Sequence, residues 1–232
     1  MNEAIILAGG FGTRLSSLVK DVPKPMADVN GKPFLAYLLE HLNKYNIKRV
    51  ILSVGYKWEI IRKYFGFKYL GMDIIYAIED KPLGTGGAIK NSLRYAYDTD
   101  VLVMNGDTFF KINLEHFFKL HKKNNSLFSI ALKKVNNASR YGTIVLNNNI
   151  IVSFKEKAED GNSLINGGVY IINKEFYLSL ADKEVFSLEK DFLETYYKSY
   201  NFYGFVFDDY FIDIGVPEDY FRAQDEFKKL KY

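Results

Sequence analysis

The sequence opens with MNEAIILAGGFGTRLSSLVKDVPKPMADVNGKP (residues 1–33), in which a short apolar run ends in a glycine-rich turn. The run Ala4–Ala8 is continuously apolar, as is typical of a strand buried on both faces of a parallel sheet. In a glycine-rich turn after such a strand, backbone N–H groups can face an anion, because no Cβ atoms block its approach. The opening stretch therefore predicts an α/β fold with a phosphate-binding loop after its first strand.

Similar apolar runs recur in the first half of the chain. They are RVILSVG (49–55), MDIIYAI (72–78) and VLVMNGD (101–107). The segments between them carry apolar residues three and four positions apart, which is helical spacing. This alternation indicates βαβ units and a sheet with helices on both faces.

Beyond about residue 134 the pattern changes. The segments GTIVL, IIVSFK and NGGVYII are strand-like with only loops between them, which indicates an antiparallel excursion. No linker rich in Pro, Gly or Ser divides the chain, so we expect one domain over 1–232, with halves of about 1–134 and 135–232. The predicted fold is Rossmann-like: a three-layer αβα arrangement with a mostly parallel mixed central sheet and a small antiparallel subregion.

The composition narrows the class of protein. Hydrophobic residues make up 48% of the chain, enough for a buried core, and a net charge of +3 with interspersed signs argues against a nucleic-acid surface. The chain has no cysteine, which excludes disulfides and thiolate metal sites. No leader-like segment precedes Ala4 and no apolar run reaches membrane-span length, so we expect a cytoplasmic protein without membrane partners.

Two basic residues accompany the glycine-rich turn. The turn is not a Walker loop, because Thr13-Arg14 stands where that loop needs Gly-Lys-Ser/Thr, and it lacks the third glycine of a dinucleotide fingerprint. Arg14 offers a fork of donors suited to phosphate oxygens. Lys24 stands between two prolines, which restrict the directions in which its side chain leaves the backbone. An arginine and a preoriented lysine beside one loop indicate a polyphosphate ligand.

These motifs resemble one family over nearly the whole chain. LAGGFGTRL (7–15), PKP (23–25) and GKP (31–33) are similar to the N-terminal signature of the sugar-1-phosphate nucleotidylyltransferases. The resemblance implies transfer of a nucleoside monophosphate from a nucleoside triphosphate to a sugar 1-phosphate, with release of pyrophosphate. It also implies that the antiparallel subregion binds the sugar, that Arg14 grips the triphosphate and that Lys24 reaches the reacting phosphates. The nucleotide-binding positions that it implies are Leu7, Ala8, Gly9, Gly10, Gly12, Thr13, Glu79, Gly84, Thr85 and Asn105.

Two aspartates are candidate metal ligands. Asp107 and Asp213 each close an apolar run, at the sheet edge where open α/β sheets bind ligands, and two such carboxylates could share one Mg²⁺ with phosphate oxygens. A lone aspartate at a strand end is more often a turn-former or a helix cap. The resemblance favours the metal site, because NGD (105–107) and DIGVPEDY (213–220) match the places where the family binds its metal.

The base and the sugar have candidate partners as well. Glu79 could accept hydrogen bonds from both N1–H and N2–H₂ of guanine, whereas uracil offers only one donor, so GTP is favoured; the alternative is that Glu79 binds nearby backbone groups. For the sugar, the resemblance implies Gly142, Glu156, Asn166 and Gly167, with Lys157 neutralising the sugar phosphate as a third catalytic cation. Many relatives carry proline where Ala158 follows this Glu-Lys pair, so the local turn is expected to differ.

The identity of the sugar stays open at this level. YKWEIIRKYFG (56–66), KPLGTGGAIKNSL (81–93) and INGGVYIINKE (165–175) resemble the guanylyltransferases that act on a heptose 1-phosphate for surface polysaccharide synthesis. Alternatives are guanylyl transfer to mannose 1-phosphate, or uridylyl transfer to N-acetylmuramate or glucose 1-phosphate. A non-catalytic nucleotide-sugar-binding relative is the rival from a different class, although Arg14, Lys24 and both aspartates are present. Aromatic residues (18 Tyr, 19 Phe) would suffice for a homodimer contact, although such residues mostly fill cores.

Overall fold

The computed structural model describes residues 2–10, 19, 21–136, 138, 140–155 and 163–230. The strands, in chain order, are β1 (Glu3–Leu7), β2 (Asp28–Val29), β3 (Lys32–Pro33), β4 (Arg49–Val54), β5 (Lys68–Tyr69), β6 (Met72–Ile78), β7 (Asp100–Asn105), β8 (Thr108–Phe110), β9 (Phe128–Val135), β10 (Thr143–Asn147), β11 (Ile150–Lys155), β12 (Ser163–Asn173), β13 (Tyr203–Phe207) and β14 (Phe211–Asp213). The α-helices are α1 (Phe34–Lys44), α2 (Trp58–Phe65), α3 (Gly84–Leu93), α4 (Leu114–Lys123), α5 (Lys174–Leu180), α6 (Glu194–Tyr196) and α7 (Pro217–Glu226). A 3₁₀ turn covers Lys24–Met26, and a π-helical turn covers Leu188–Leu193.

One central sheet runs through both halves of the described chain, in the order β10-β11-β13-β9-β12-β7-β1-β4-β6-β5. The strands β7, β1, β4 and β6 pair in parallel, and β13 pairs in parallel with β9. Only β5, β11 and β12 run against the other strands of this sheet. The predicted mixed sheet is confirmed, and seven of its ten strands run in the same direction.

The three-layer arrangement follows from the alternation of side chains along the buried strands. Consecutive residues point to opposite faces of a strand, and both Ile5 and Ile6 of β1 are fully buried. Ile6 belongs to the layer that contains α1, α2, α4 and α7, while Ile5 belongs to the layer that contains α3, α5 and the π-helical turn. Helices therefore cover both faces, which is why these strands read as continuously apolar.

The predicted antiparallel excursion is a hairpin at one end of the sheet. Strands β10 and β11 pair with each other, β10 also pairs with β12, and β11 reaches β13. The hairpin thus extends the main sheet. Among the helices of the described residues, none combines the length and apolar character that a membrane span requires.

A buried histidine on α1 makes the stability of the fold depend on pH. The ring of His41 is 2% exposed and lies against Tyr45 and Phe109. Burial, aided by the positive charge of Lys44, lowers its pKa to about 4, against the opposing effect of a hydrogen bond with the Ile112 backbone. Between pH 4 and about 6.5 the unfolded chain therefore binds a proton that the folded chain does not.

We expect the free energy of unfolding to fall by up to about 3 kcal/mol as the pH is lowered from 7 to 4, on account of His41 alone. His41→Phe removes the titrating group, so urea denaturation across this range should show a shallower pH dependence than in the wild-type protein. His116→Gln changes an exposed histidine on α4 and should leave the dependence unchanged. Equal slopes for His41→Phe and the wild-type protein would contradict this assignment.

Candidate active site

A cleft of about 290 Å³ lies at the carboxyl ends of β1 and β7, where Leu7 and Asn105 are paired neighbours. This is the edge at which open α/β sheets bind ligands. Its lining comes from the first strand and its turn, the Pro-Lys-Pro segment, the start of α3 and the end of β7: Leu7, Gly9, Gly10, Lys24, Pro25, Glu79, Pro82, Gly84, Thr85, Ala88, Asn105 and Asp107. Most of the predicted nucleotide-binding residues that the structure describes therefore surround one cavity.

Lys24 meets Asp107 inside this cleft. The lysine Nζ lies 2.5 Å from Asp107 Oδ2, and the lysine side chain is only 10% exposed. Lys24 begins a 3₁₀ turn, closed by a hydrogen bond from the Met26 N–H to the Pro23 carbonyl, and Pro25 and Met26 are buried. The backbone around Lys24 is therefore anchored in the core, and its amine is held at the sheet edge.

Asp213 reaches the same edge through a short strand pair. Strands β14 and β8 are antiparallel, with Asp213 opposite Thr108, and the Ile214 N–H donates to the Asp107 carbonyl over 2.9 Å. The Gly215 N–H donates to Asp213 Oδ1 over 2.7 Å, and a Cβ atom on Gly215 would lie 3.3 Å from Lys24 Nζ. The two predicted metal ligands and the predicted catalytic lysine thus come together.

The donor set fits a magnesium ion shared with substrate. Within the described residues there is no group of three or more His, Cys, Asp or Glu that could hold a metal ion without a ligand. Mg²⁺ is commonly held by one or two carboxylates, with phosphate oxygens and water completing the octahedron. Asp107 lines the cleft beside the fixed cation Lys24, and Asp213 lies next to it at the same edge, so the two carboxylates meet that requirement.

The glycines after β1 differ in what they do. A Cβ atom on Gly9 would lie 2.8 Å from Glu79 Oε1, so a larger residue there would displace the Glu79 carboxylate. Gly10 has open space where its Cβ would be, which leaves its backbone accessible from the cleft. Ala8, also predicted to contact the nucleotide, is buried, and its N–H donates to the Ser53 carbonyl.

Glu79 is held in place by its neighbours. Ser53 Oγ donates to Glu79 Oε1 over 2.9 Å, and the Leu83 N–H donates to Oε2 over 3.2 Å. Burial raises the pKa of Glu79, while these two hydrogen bonds act in the opposite direction. The alternative backbone contact considered above is therefore present, although the carboxylate still lines the cleft. Each oxygen keeps a lone pair that could accept from a base.

The glycines at the start of α3, Gly84, Gly86 and Gly87, serve packing more than ligand contact. The N–H groups of Gly86 and Gly87 both donate to the Phe186 carbonyl, and a Cβ atom on Gly86 would lie 2.2 Å from the Phe186 ring. From α3, Gly84, Thr85 and Ala88 line the cleft, whereas Gly86 and Gly87 do not. The Thr85 hydroxyl accepts from the Leu188 N–H over 2.8 Å and donates to Glu189 Oε2 over 3.0 Å.

A second cleft, of about 530 Å³, lies beside the β10–β11 hairpin. It is lined by Arg140, Tyr141, Gly142, Thr143, Ile144, Phe154, Asn166, Glu189, Lys190 and Glu194. Two predicted sugar-binding residues, Gly142 and Asn166, therefore share one cavity. Gly167, predicted with them, is buried instead, since a Cβ atom there would lie 2.4 Å from the Phe110 ring.

Several functional predictions fall outside the described residues. They concern Gly12, Thr13, Arg14, Glu156 and Lys157.

Other residues at the two clefts were missed by sequence reasoning. Ser53 is fully buried, and a single serine inside the apolar run RVILSVG could have indicated a hydroxyl that binds a buried polar group. Arg140 Nη2 lies 2.5 Å from the buried Asp219 Oδ2 of α7, a contact between distant segments that no local pattern reveals.

Comparisons with known proteins agree with this geometry. The chain is 48% identical to the D-glycero-alpha-D-manno-heptose 1-phosphate guanylyltransferase of Aneurinibacillus thermoaerophilus over 224 residues, 97% of each chain. It is 50% identical to the enzyme of the same name from Campylobacter jejuni over 221 residues, 95% of this chain and 97% of that one. A crystal structure of HddC from Yersinia pseudotuberculosis complexed with GMP-PN superposes with a TM-score of 0.88 at 38% identity, covering 98% of this chain and 100% of that one.

Residues 3–229 match the family described as Nucleotidyl transferase. This family match and the relatives that align along almost the entire chain show that the chain belongs to the nucleotidyl transferase family.

Proposed function

We propose that this protein transfers GMP from GTP to D-glycero-α-D-manno-heptose 1-phosphate, giving GDP-heptose and pyrophosphate. GDP-heptose would then be a sugar donor for surface polysaccharide synthesis. The observation that carries the reaction type is the contact of Lys24 with Asp107 at the edge where β14 delivers Asp213. The identities of the base and the sugar are inferred from the two relatives that are 48% and 50% identical over nearly the whole chain.

The two clefts fit the two substrates. The cleft at β1 and β7 has glycines, a lysine and an aspartate that suit a triphosphate with its metal, and the cleft beside the hairpin has polar side chains suited to a sugar. A hydrogen bond from Thr85, in the first cleft, to Glu189, in the second, joins them. The sugar phosphate would therefore meet the α-phosphorus of the nucleotide where the clefts adjoin.

The reaction needs charge neutralisation more than a general base. A phosphate monoester has a second pKa of about 6, so the attacking phosphate is mostly dianionic at neutral pH. His41 and His121 are buried in the core, which fits a reaction without a histidine base. Repulsion between the two anions is the main barrier, and fixed cations at the point of attack lower it.

The cations have separate roles. Lys24 is anchored at the cleft and would neutralise charge at the α-phosphate, while Arg14 would bind the triphosphate and Lys157 the sugar phosphate. Mg²⁺, held by Asp107 and Asp213 together with phosphate oxygens, would supply further positive charge at the reacting phosphates. Glu79 would accept hydrogen bonds from the guanine edge.

A substrate panel tests the proposal. The protein is incubated with Mg²⁺, one of GTP, UTP, CTP, ATP or dTTP, and one of heptose, mannose, glucose or N-acetylmuramate 1-phosphate, and pyrophosphate release is measured. We expect the highest kcat/KM for GTP with D-glycero-α-D-manno-heptose 1-phosphate. A preference for mannose 1-phosphate would mean that the sugar substrate is mannose 1-phosphate, and the proposed reaction type would stand. Binding of nucleotide without release from any pair would identify a non-catalytic relative.

The aspartates give a second prediction. Asp107→Asn and Asp213→Asn keep the side-chain size but remove a charge that magnesium requires, so each should lower the turnover rate by roughly a hundredfold or more. Asp208→Asn is the matched control, because Asp208 precedes the same strand β14 and its side chain is fully exposed. Turnover at the wild-type rate in either cleft variant would remove that residue from the metal site.

A further inference from the structure

The cleft beside the hairpin contains an acidic residue that the proposed reaction does not use. Glu189 lies on the π-helical turn Leu188–Leu193 and lines the cleft together with Gly142 and Asn166. π-Helical turns are rare and are frequent at functional sites. Ser187 is the N-cap of this turn, and its hydroxyl accepts from the Lys190 N–H.

The Glu189 carboxylate is fixed through one of its oxygens. Thr85 Oγ1 donates to Oε2 over 3.0 Å, and Ser187 Oγ donates to the same oxygen over 3.1 Å. The other oxygen, Oε1, has no hydrogen-bond partner among the described residues. One side of the carboxylate is therefore anchored, and the other retains two acceptor sites.

Thr85 is well placed to hold Glu189. Its single hydroxyl proton goes to the carboxylate, and its lone pairs accept from the Leu188 N–H over 2.8 Å. Both contacts dock the π-helical turn against the start of α3. Because Thr85 lines the cleft at β1 and β7, the hydrogen bond fixes Glu189 relative to the nucleotide end of the site.

The burial and charge of Glu189 favour the binding of hydrogen-bond donors. Glu189 is half-buried and has no salt bridge within the described part of the chain. Burial raises the pKa of Tyr170, and the negative charge of Glu189 raises it further. A partly desolvated carboxylate without a cation is costly unless hydrogen-bond donors satisfy it.

Asn166 lines the same cleft as Glu189 and is held by hydrogen bonds. Asn166 Nδ2 donates to the Tyr170 hydroxyl over 2.8 Å, and Asn166 Oδ1 accepts from the Gly168 N–H over 2.9 Å. The amide is thereby fixed in orientation, with one N–H left for a ligand. One cleft thus presents both a fixed acceptor and a fixed amide, and both can bind hydroxyl groups.

We propose that Glu189 is a specificity-determining residue, which accepts hydrogen bonds from hydroxyl groups of the sugar 1-phosphate, and that Thr85 is its positioning residue. This inference rests on the proposed function. It assigns the sugar-ring contacts to a residue held from the nucleotide side of the site. A carboxylate accepts from hydroxyls of any configuration that can reach it, so its fixed location is what discriminates between sugars.

The test measures sugar affinity and nucleotide affinity separately. D-Glycero-α-D-manno-heptose 1-phosphate is titrated by calorimetry into the full-length protein saturated with α,β-methylene-GTP and Mg²⁺, and GTP affinity is measured alone. Glu189→Gln keeps the size and one acceptor but loses the charge, so the Kd for the sugar phosphate should rise roughly 10- to 100-fold. The Kd for GTP should change by less than about twofold, because the lost contacts are to the sugar.

Glu184→Gln is the matched control. Glu184 lies in the same segment, but its side chain is exposed and pairs with Lys81 on the surface. It should bind the sugar phosphate and GTP like the wild-type protein. Thermal unfolding of all variants verifies that each is folded at the titration temperature.

Thr85 provides an independent variant. Thr85→Val removes the hydroxyl with little change in shape, and it should weaken sugar-phosphate binding roughly 3- to 10-fold. Thr85→Ser restores the hydroxyl and should restore the affinity. In the double variant with Glu189→Gln the two effects should not add, because they act through one contact.

The outcomes separate the inference from the proposed function. Unchanged sugar affinity in Glu189→Gln, or an equal loss of sugar and GTP affinity, would overturn the role of Glu189. Turnover of the wild-type protein in the substrate panel establishes the reaction independently of this result. Wild-type protein that binds GTP and no sugar phosphate would overturn the proposed function and this inference together.

Discussion

The contact between Lys24 and Asp107 is the interaction on which the site depends. It joins the 3₁₀ turn after the first strand to the turn after β7, and the Ile214 N–H ties the carbonyl of the same aspartate to the strand that carries Asp213. Three distant parts of the chain therefore meet at one point. Opposite charges held there at 2.5 Å keep the lysine extended into the cleft.

The sheet explains why this meeting is possible. Parallel strands buried on both faces end at a common edge, and the turns after β1 and β7 are adjacent there, with the Gly106 N–H donating to the Leu7 carbonyl over 2.9 Å. A Cβ atom on Gly106 would lie 2.5 Å from that carbonyl, so the turn that carries Asp107 requires glycine. The rigid scaffold limits the mobility of the charged groups, and fixed charges are the ones that stabilise a transition state.

Local patterns predicted the scaffold well and the cleft walls less well. The apolar runs at β1, β4, β6 and β7 and the helices between them were readable, because burial on both faces leaves a continuous apolar signal. The sequence does not show why α3 needs glycine at Gly86, where the Phe186 ring, from a segment a hundred residues away, leaves no room for a Cβ atom. The turn Leu188–Leu193 is π-helical and docks on Thr85, a contact that no local pattern predicted. Tertiary contacts of this kind leave no periodicity for a sequence to show.

The central claim is that Lys24 acts on the reacting phosphates and that its contact with Asp107 prepares it for this role. The most direct measurement compares Lys24→Ala with the wild-type protein in two assays, the single-turnover rate of nucleotidyl transfer and the Kd for GTP. We expect the rate to fall by roughly a hundredfold or more, while the Kd for GTP changes by less than about threefold. A weakened affinity for GTP with an unchanged rate at saturation would show that Lys24 only binds the nucleotide, and it would contradict this account.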